Sequence, residues 1–397
     1  MSRSWRTDGR WIAVAILLAY AAALALAARG LGPDRVSNAA GIPPMGAHFS
    51  DLYPFPAARA ELARGGDPYT SNPFDPWGRV LNCPRLWLQF MRFSWGAIPA
   101  VGAAMGAAWL AALLAVLGPL SRRQGILAGV LLASAPVVLA LERANTDLII
   151  FLLAAGGLAA LRRDRPAAAG GLLLAASLLK FYPIAAFAAF LVRGWRRALP
   201  WIAGAGLLLA AWVLAQVSDV RTIAHNTPAG GAALSYGAGV VLNAADLLHY
   251  GRTGQWADFS RHARALDAAA GLLGAALAAL GWRRGGAGGA GRELFQAGAG
   301  VYLLTFLLGS NFVYREIFLL LCLPRLWGAG ADAGLRRAAL ACLAVSLLLH
   351  PMWGLTPALT LLRQAANWAL FGLLAWLGGA AANARENFRS NPEAAPV

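Results

Sequence analysis

The sequence predicts an all-α polytopic membrane protein, and three observations carry that expectation. Of 397 residues, 59% are hydrophobic and only 13% are charged, about half the charge of a soluble globular domain. Apolar runs of about twenty residues recur along the whole chain, the length an α-helix needs to cross a bilayer core. The remaining charge is lopsided, 34 basic against 18 acidic residues. In a membrane protein that excess points first to arginine-rich cytoplasmic loops rather than to nucleic acid. The composition excludes a soluble domain, a disordered chain and a coiled coil. Of the basic residues all but one are Arg, and the single Lys is Lys180.

The elements follow in order. Arg3, Arg6 and Arg10 precede a first apolar stretch, Trp11 to Ala28. A signal peptide ending at the small residues Ala25 to Ala28 is the rival reading. The length of the run favours an uncleaved helix with its N-terminus inside. Residues 29–92 form a first outer loop rich in Pro, Gly and aromatics, with one short amphipathic helix over Pro56 to Arg64. Further spans are expected at about 93–119, 124–141, 147–161, 167–180, 181–192, 198–217, 264–281, 294–310, 313–327, 335–350 and 355–380. Threaded in this order, the basic connections Arg122–Arg123, Arg162–Arg165, Arg193–Arg197, Arg283–Arg292 and Arg325–Arg337 fall on the N-terminal side. That is the cytoplasmic side by the positive-inside rule. A second outer loop covers 218–263, both outer loops are expected to carry short helices, and a cytoplasmic tail covers 381–397. The whole chain, 1–397, reads as a single transmembrane domain without internal repeat. The Gly/Ala stretch 285–291 reads as a flexible turn.

The segment 167–192 tests this threading. A single crossing would put one of its flanking Arg clusters outside. Two short helices bent at Lys180-Phe181-Tyr182-Pro183 keep both inside, and Pro183 makes the break natural. Such a re-entrant pair is tolerated only when buried in protein or lining a cavity. The expected total is about twelve hydrophobic helices including that pair.

Cys83, Cys322 and Cys342 form no CxxC, and no HExxH or paired-His spacing exists, so neither a disulfide framework nor a zinc site is encoded. The informative polar residues collect at the outer ends of hairpins. These are Glu142-Arg143-Ala144-Asn145-Thr146-Asp147, then Lys180-Phe181-Tyr182-Pro183, then Ser310-Asn311-Phe312-Val313-Tyr314-Arg315-Glu316. Arg363, Gln364 and Asn367 join them near the outer end of the last helix, Arg363 and Asn367 on one face, with His350 at the end of the helix before. A hairpin tip can be polar simply because it leaves the membrane. These tips mix both charge signs with amides and tyrosines, which suits a binding site, and ionisable residues at membrane depth are functional by default. Lys and Arg at the mouth of such a cavity suit a lipid phosphate. In the first loop, Asp67 before Pro68 and Asp75 before Pro76 read as turn residues. Asp51, within His48-Phe49-Ser50-Asp51-Leu52-Tyr53, is less well explained by a turn; its structural alternative is an N-cap for the following helix.

Together, the first-loop Asp51, the tip Glu142 to Asp147, the bend Leu178-Leu179-Lys180-Phe181-Tyr182-Pro183 and the run Asn311 to Leu320 resemble the polytopic glycosyltransferases of the C-type fold. The family most resembled is glycosyltransferase family 87, the polyprenyl-phosphate-mannose-dependent mannosyltransferases, over roughly 10–330. The family pattern Arg-Gly-Asn-x-Asp has Ala144 here in place of its Gly. The resemblance implies an enzyme of the outer membrane face, in a bacterial plasma membrane with both termini cytoplasmic. It would move a sugar, mannose by resemblance, from a polyprenyl-phosphate donor to an acceptor hydroxyl of a glycan or glycolipid, with inversion. Asp51 takes the position of the general base. Lys180, Tyr182, Arg143, Asn145 and Asp147 would lie near the lipid phosphate and sugar, and no cofactor or metal is implied as a fixed feature. From their positions at the outer ends, Asn311, Tyr314, Arg315, His350 and Arg363 join the expected substrate-binding set. Two alternatives stay open: an O-antigen-type ligase or polymerase using Arg221, His225, His249, Arg252 and His262 of the second loop, and a lipid or sugar transporter.

Overall fold

The computed structural model describes residues 8–228, 230–286, 289–328, 332–350 and 357–383. Arg3, Arg6, most of the tail 381–397 and part of the 285–291 turn lie outside the described residues. Helices dominate. Among the described residues the strands amount to one two-residue ribbon, Ser235–Tyr236 antiparallel to Asn311–Phe312, with Ser235 opposite Phe312 and Tyr236 opposite Asn311.

Five helices are long and apolar enough to cross a membrane: Gly9–Leu31, Trp95–Leu117, Trp195–Ala215, Phe259–Arg284 and Ala358–Ala382. A sixth arises if the bent pair Arg122–Leu132 and Ala135–Arg143 is one span. The chain is thus polytopic and membrane-like. The 16-residue helices Asp147–Arg162, Arg292–Leu307 and Ala333–Leu348 occupy other expected stretches, each about 24 Å long at 1.5 Å per residue. Three of the long helices lie outermost, with Trp11, Leu207 and Leu272 each more than 70% exposed. The shorter helices bring Phe151, Phe295, Phe306 and Phe318 into the core, where Trp109 and Phe371 from the other two long helices join them.

The first helix is built into this assembly. Asp8 accepts the Arg10 backbone N–H at 3.0 Å and Arg10 Nε at 2.7 Å. Those hydrogen bonds from Arg10 hold the Asp8 carboxyl down at about 2. Gly125 and Gly129 allow the next helix to lie against it; a Cβ at Gly125 would sit 2.1 Å from the Gly9 carbonyl oxygen. That next helix starts at a capping box, with Ser121 N–H donating to Gln124 Oε1 at 2.9 Å and Gln124 N–H to Ser121 Oγ at 3.4 Å.

Three features differ from expectation. The stretch 124–141, read as one span, bends by 60° at residues 133–134. Ser134 leaves the helical region there, and Pro136 in the next first turn removes a donor the helix would need to continue. The second large loop does carry short helices as expected, Val217–Asn226 and Val240–Thr253. The short first-loop helix runs Pro54–Ala63 rather than 56–64. Two expected spans are 3-10 helices, Tyr182–Arg193 and Val313–Cys322, far longer than the three or four residues usual for that geometry. The break ahead of the first is as expected: the helix Pro166–Leu179 stops, Lys180 is extended at φ −147°, and Pro183 sits in the first turn of the new helix.

Candidate functional site

A cavity of about 340 Å3 opens where the first loop meets three helix ends. Its wall carries Asp51 and Arg79 from the first loop, and Arg143 and Asn145 from the turn before Asp147–Arg162. Lys180 at the break, and Tyr314 and Arg315 at the start of the second 3-10 helix, complete it.

The turn at 143–147 follows from the helix before it. Asn145 N–H bonds the Ala140 carbonyl at 3.0 Å and Ala144 N–H bonds that of Leu141 at 3.1 Å, a Schellman closure. This closure places Ala144 in the left-handed region at φ 46°, ψ 47°, the conformation glycine adopts without strain. The turn therefore holds an alanine where the backbone favours glycine. The turn delivers Asn145 with its amide orientation fixed by its partners. Its Oδ1 accepts the Asp147 N–H at 2.9 Å, so its Nδ2 faces Asp51 Oδ2 and donates at 2.6 Å. Phe49, left-handed at φ 59°, donates its N–H to the Glu142 carbonyl at 2.7 Å, which ties the Asp51 turn to this tip.

Asp51 lies in a single 3-10 turn, Ser50–Leu52, and caps nothing: the helix Pro54–Ala63 has no side-chain cap. The N-cap alternative is thereby removed. Asp147 is fully buried in the first turn of its helix, where the helix dipole favours a carboxylate. It is paired with Lys180 Nζ and lies 3.6 Å from Arg315 Nε. Arg315 also donates to Asn311 Oδ1, and its guanidinium stands 5.1 Å from the centre of the Tyr182 ring. Asn311 is locked by Nδ2 donating to the Thr305 carbonyl at 2.6 Å. Arg143 Nη2 donates to the Pro43 carbonyl at 2.7 Å, and its Nε lies 3.2 Å from Glu142 Oε2.

Arg79 was not among the expected residues. Asp75 does make the turn read for it, accepting the N–H of Trp77 at 3.0 Å and of Arg79 at 3.1 Å. The same carboxylate then grips the Arg79 guanidinium, which reaches Asp51 Oδ1 at 3.6 Å. A pairing over 28 residues leaves no local signal; the one hint is an Arg directly after a Pro/Gly turn. Cys83 also lines the cavity. Burial pushes its thiol up to about 12, against the opposing pull of nearby Lys180.

Four cations, Arg79, Arg143, Lys180 and Arg315, therefore face the cavity with one carboxylate, Asp51. Their counter-ions Asp75, Glu142 and Asp147 stand behind the wall. Such an arrangement presents positive charge to a ligand while each cation is oriented by an acid, as charge-assisted anion sites require.

Two expected residues lie elsewhere. Arg363 is fully buried and donates to the Ala233 carbonyl at 2.8 Å and the Ser235 carbonyl at 3.0 Å. His350 packs beside Gly41. Neither lines the cavity, and none of Arg221, His225, His249, Arg252 and His262 lines it either. Among the described residues no three His, Cys, Asp or Glu side chains converge as metal ligands. The chain matches no family model, no curated protein and no solved structure.

Proposed function

We propose that the chain is a glycosyltransferase of the C-type fold, similar to family 87, with its cavity on the outer face of a bacterial plasma membrane. It moves a sugar, mannose by resemblance, from a polyprenyl phosphate to a hydroxyl of a glycan or glycolipid acceptor. The observation that carries this reading is the cavity wall: one carboxylate among four cations whose counter-ions are all set behind them.

The chemistry follows from that wall. An outward-facing enzyme has no nucleotide sugar to use, so its donor must be lipid-linked. Asp51 accepts the proton of the acceptor hydroxyl as general base. The acceptor oxygen attacks C1 of the sugar from the face opposite the phosphate, which inverts the anomeric centre. The departing polyprenyl phosphate gathers negative charge, and Lys180, Arg315 and Arg143 stabilise it without a catalytic acid. Asn145 links the two halves, holding Asp51 through Nδ2 while its Oδ1 lies 3.5 Å from Lys180 Nζ. The polyprenyl tail would lie along the apolar helices, of which the expected set numbers about twelve including the broken pair at Lys180.

The test is sugar transfer from a radiolabelled polyprenyl-phosphate-mannose by the membrane-reconstituted protein. Asp51→Asn is expected to lower turnover by about a thousandfold or more while donor binding persists. Normal turnover in Asp51→Asn would remove the base assignment. No transfer by the unaltered protein from any polyprenyl-phosphate sugar would remove the reading as a whole.

A further inference from the structure

Asp51 has two carboxylate oxygens in different surroundings. Oδ2 is taken by Asn145 at 2.6 Å, on the side of Lys180, Asp147 and Arg315. Oδ1 faces Arg79 Nη1 across 3.6 Å, too long for a hydrogen bond. Arg79 is divided in the same way. Its Nε and Nη2 are held by Asp75 at 3.1 and 2.9 Å, and Nη2 also donates to the Ser50 carbonyl at 2.7 Å. Among the described residues Nη1 donates to no acceptor, and it points into the gap beside the open oxygen of Asp51. A guanidinium pinned at two of three nitrogens is pre-organised to present the third.

We infer that this gap is the acceptor subsite, with Asp51 Oδ1 as the oxygen that takes the proton, Arg79 Nη1 as donor to a neighbouring sugar hydroxyl, and a carbohydrate as the acceptor class. The inference rests on the glycosyltransferase reading and adds a side to it: phosphate at Lys180, acceptor at Arg79. In the step itself, the acceptor O–H proton passes to Oδ1 and the acceptor oxygen bonds to C1. The C1–O bond pair leaves with the polyprenyl phosphate.

The surroundings of Arg79 suit a sugar. Its guanidinium stands 4.5 Å from the centre of the Trp77 ring, Trp77 meets Tyr53 edge-on at 5.4 Å, and Tyr53 lies 5.8 Å from Trp95. Trp77 and Tyr53 are half-buried and Trp95 is exposed; the three rings flank Arg79 beside the cavity rather than in its wall. Half-exposed aromatic rings offer an apolar surface for the C–H face of a pyranose. The two N–H groups of Nη1 can donate to vicinal hydroxyls, and the buried Asp75 holds the rest of the guanidinium in place without occupying the gap.

The experiment uses the full chain in lipid nanodiscs and two probes measured by titration calorimetry, a short polyprenyl phosphate and decyl α-mannoside. Trp77→Leu and Arg79→Lys are expected to weaken decyl mannoside binding by about tenfold or more and to leave polyprenyl phosphate within about twofold. Lys180→Ala is expected to do the reverse. Arg79→Lys keeps the charge and loses the fork, and Trp77→Leu leaves the Asp75–Arg79 clamp in place, so one variant serves if the other does not fold. The inference is overturned if both variants bind the mannoside normally, or if they weaken polyprenyl phosphate as much as the mannoside. Mannoside binding that depends on Arg79, in a protein that does not bind polyprenyl phosphate, would instead remove the donor reading and leave a carbohydrate site.

Discussion

Arg315 and Glu316 are adjacent on one 3-10 helix, yet they serve two different polar regions. Arg315 turns to the cavity, where cations face open space and acids stand behind them. Glu316 turns to the back, fully buried, where Ser346 Oγ lies 2.5 Å from Glu316 Oε1 and 2.5 Å from Asn367 Oδ1. There Tyr302 donates to Asn367 Oδ1 at 3.3 Å, Gln364 and Arg363 both donate to the Ser235 carbonyl, and the rings of Tyr236 and Tyr302 stack 5.3 Å apart. The front sets charged side chains around a void. The back closes its polar side chains on one another and on the Ala233 and Ser235 carbonyls, which binds the last helix to the Ser235–Tyr236 ribbon. Similar residue types thus do different work: the back fixes where the 3-10 helix starts, and the front uses what that start presents.

The sharpest way to break this contrast is to remove one cation from each region and compare stability with binding. Arg363→Met leaves the Ala233 carbonyl without its side-chain donor and weakens the hold on that of Ser235, in a region sealed from water. It should cost roughly 2–5 kcal/mol of stability, read as a lowered melting temperature in detergent. Lys180→Ala leaves Asp147 still facing Arg315, so its main effect should be on ligand, a loss of polyprenyl phosphate affinity of about tenfold to a hundredfold. If the two variants unfolded alike, or if folded Arg363→Met lost affinity while Lys180→Ala did not, front and back would have to be exchanged.

A smaller effect sharpens the front. Ala144→Gly relieves a left-handed backbone at the turn that aims Asn145, at the expense of one buried methyl group. The strain outweighs the methyl, so stability should rise by up to about 1 kcal/mol, measured by thermal unfolding; a fall would mean that packing of the methyl decides. The smallest effect concerns Cys83. Its neutral thiol is favoured by burial, so the stability it contributes is complete below about 9, the ordinary thiol value, and is lost as pH rises toward about 12. At pH 8.5, iodoacetamide should leave Cys83 unmodified in the folded protein and alkylate it in the denatured chain. Ready modification of the folded protein would place the thiol in open water.

Much of the front was legible in the sequence because its pieces are local. Pro183 announces the break at Lys180, and the run from Glu142 to Asp147 is conspicuous between apolar stretches. What was not legible is direction. Arg363 and Asn367 share a helix face and lie near its end, which fits either region, and only packing decides that they meet Ser235 and Ser346. Arg79 was hidden because Asp75 also makes an ordinary turn, and a turn is a sufficient reason for an Asp before a Pro. The bend at Ser134 was hidden because hydrophobicity runs unbroken through it, although Ser-Ala-Pro is a helix start in disguise.

The two long 3-10 helices have a mechanical consequence. At about 2.0 Å per residue instead of 1.5 Å, the 12 residues of Tyr182–Arg193 and the 10 of Val313–Cys322 reach about 24 and 20 Å, where an ordinary α-helix would reach about 18 and 15 Å. Their N-terminal ends meet the polar anchors Lys180 and Asn311. Rewinding them to α-helices would shorten them by about 6 and about 5 Å, more than the length of the contact between Lys180 and Asp147. The position of the charged wall therefore depends on the length of the two segments that carry it.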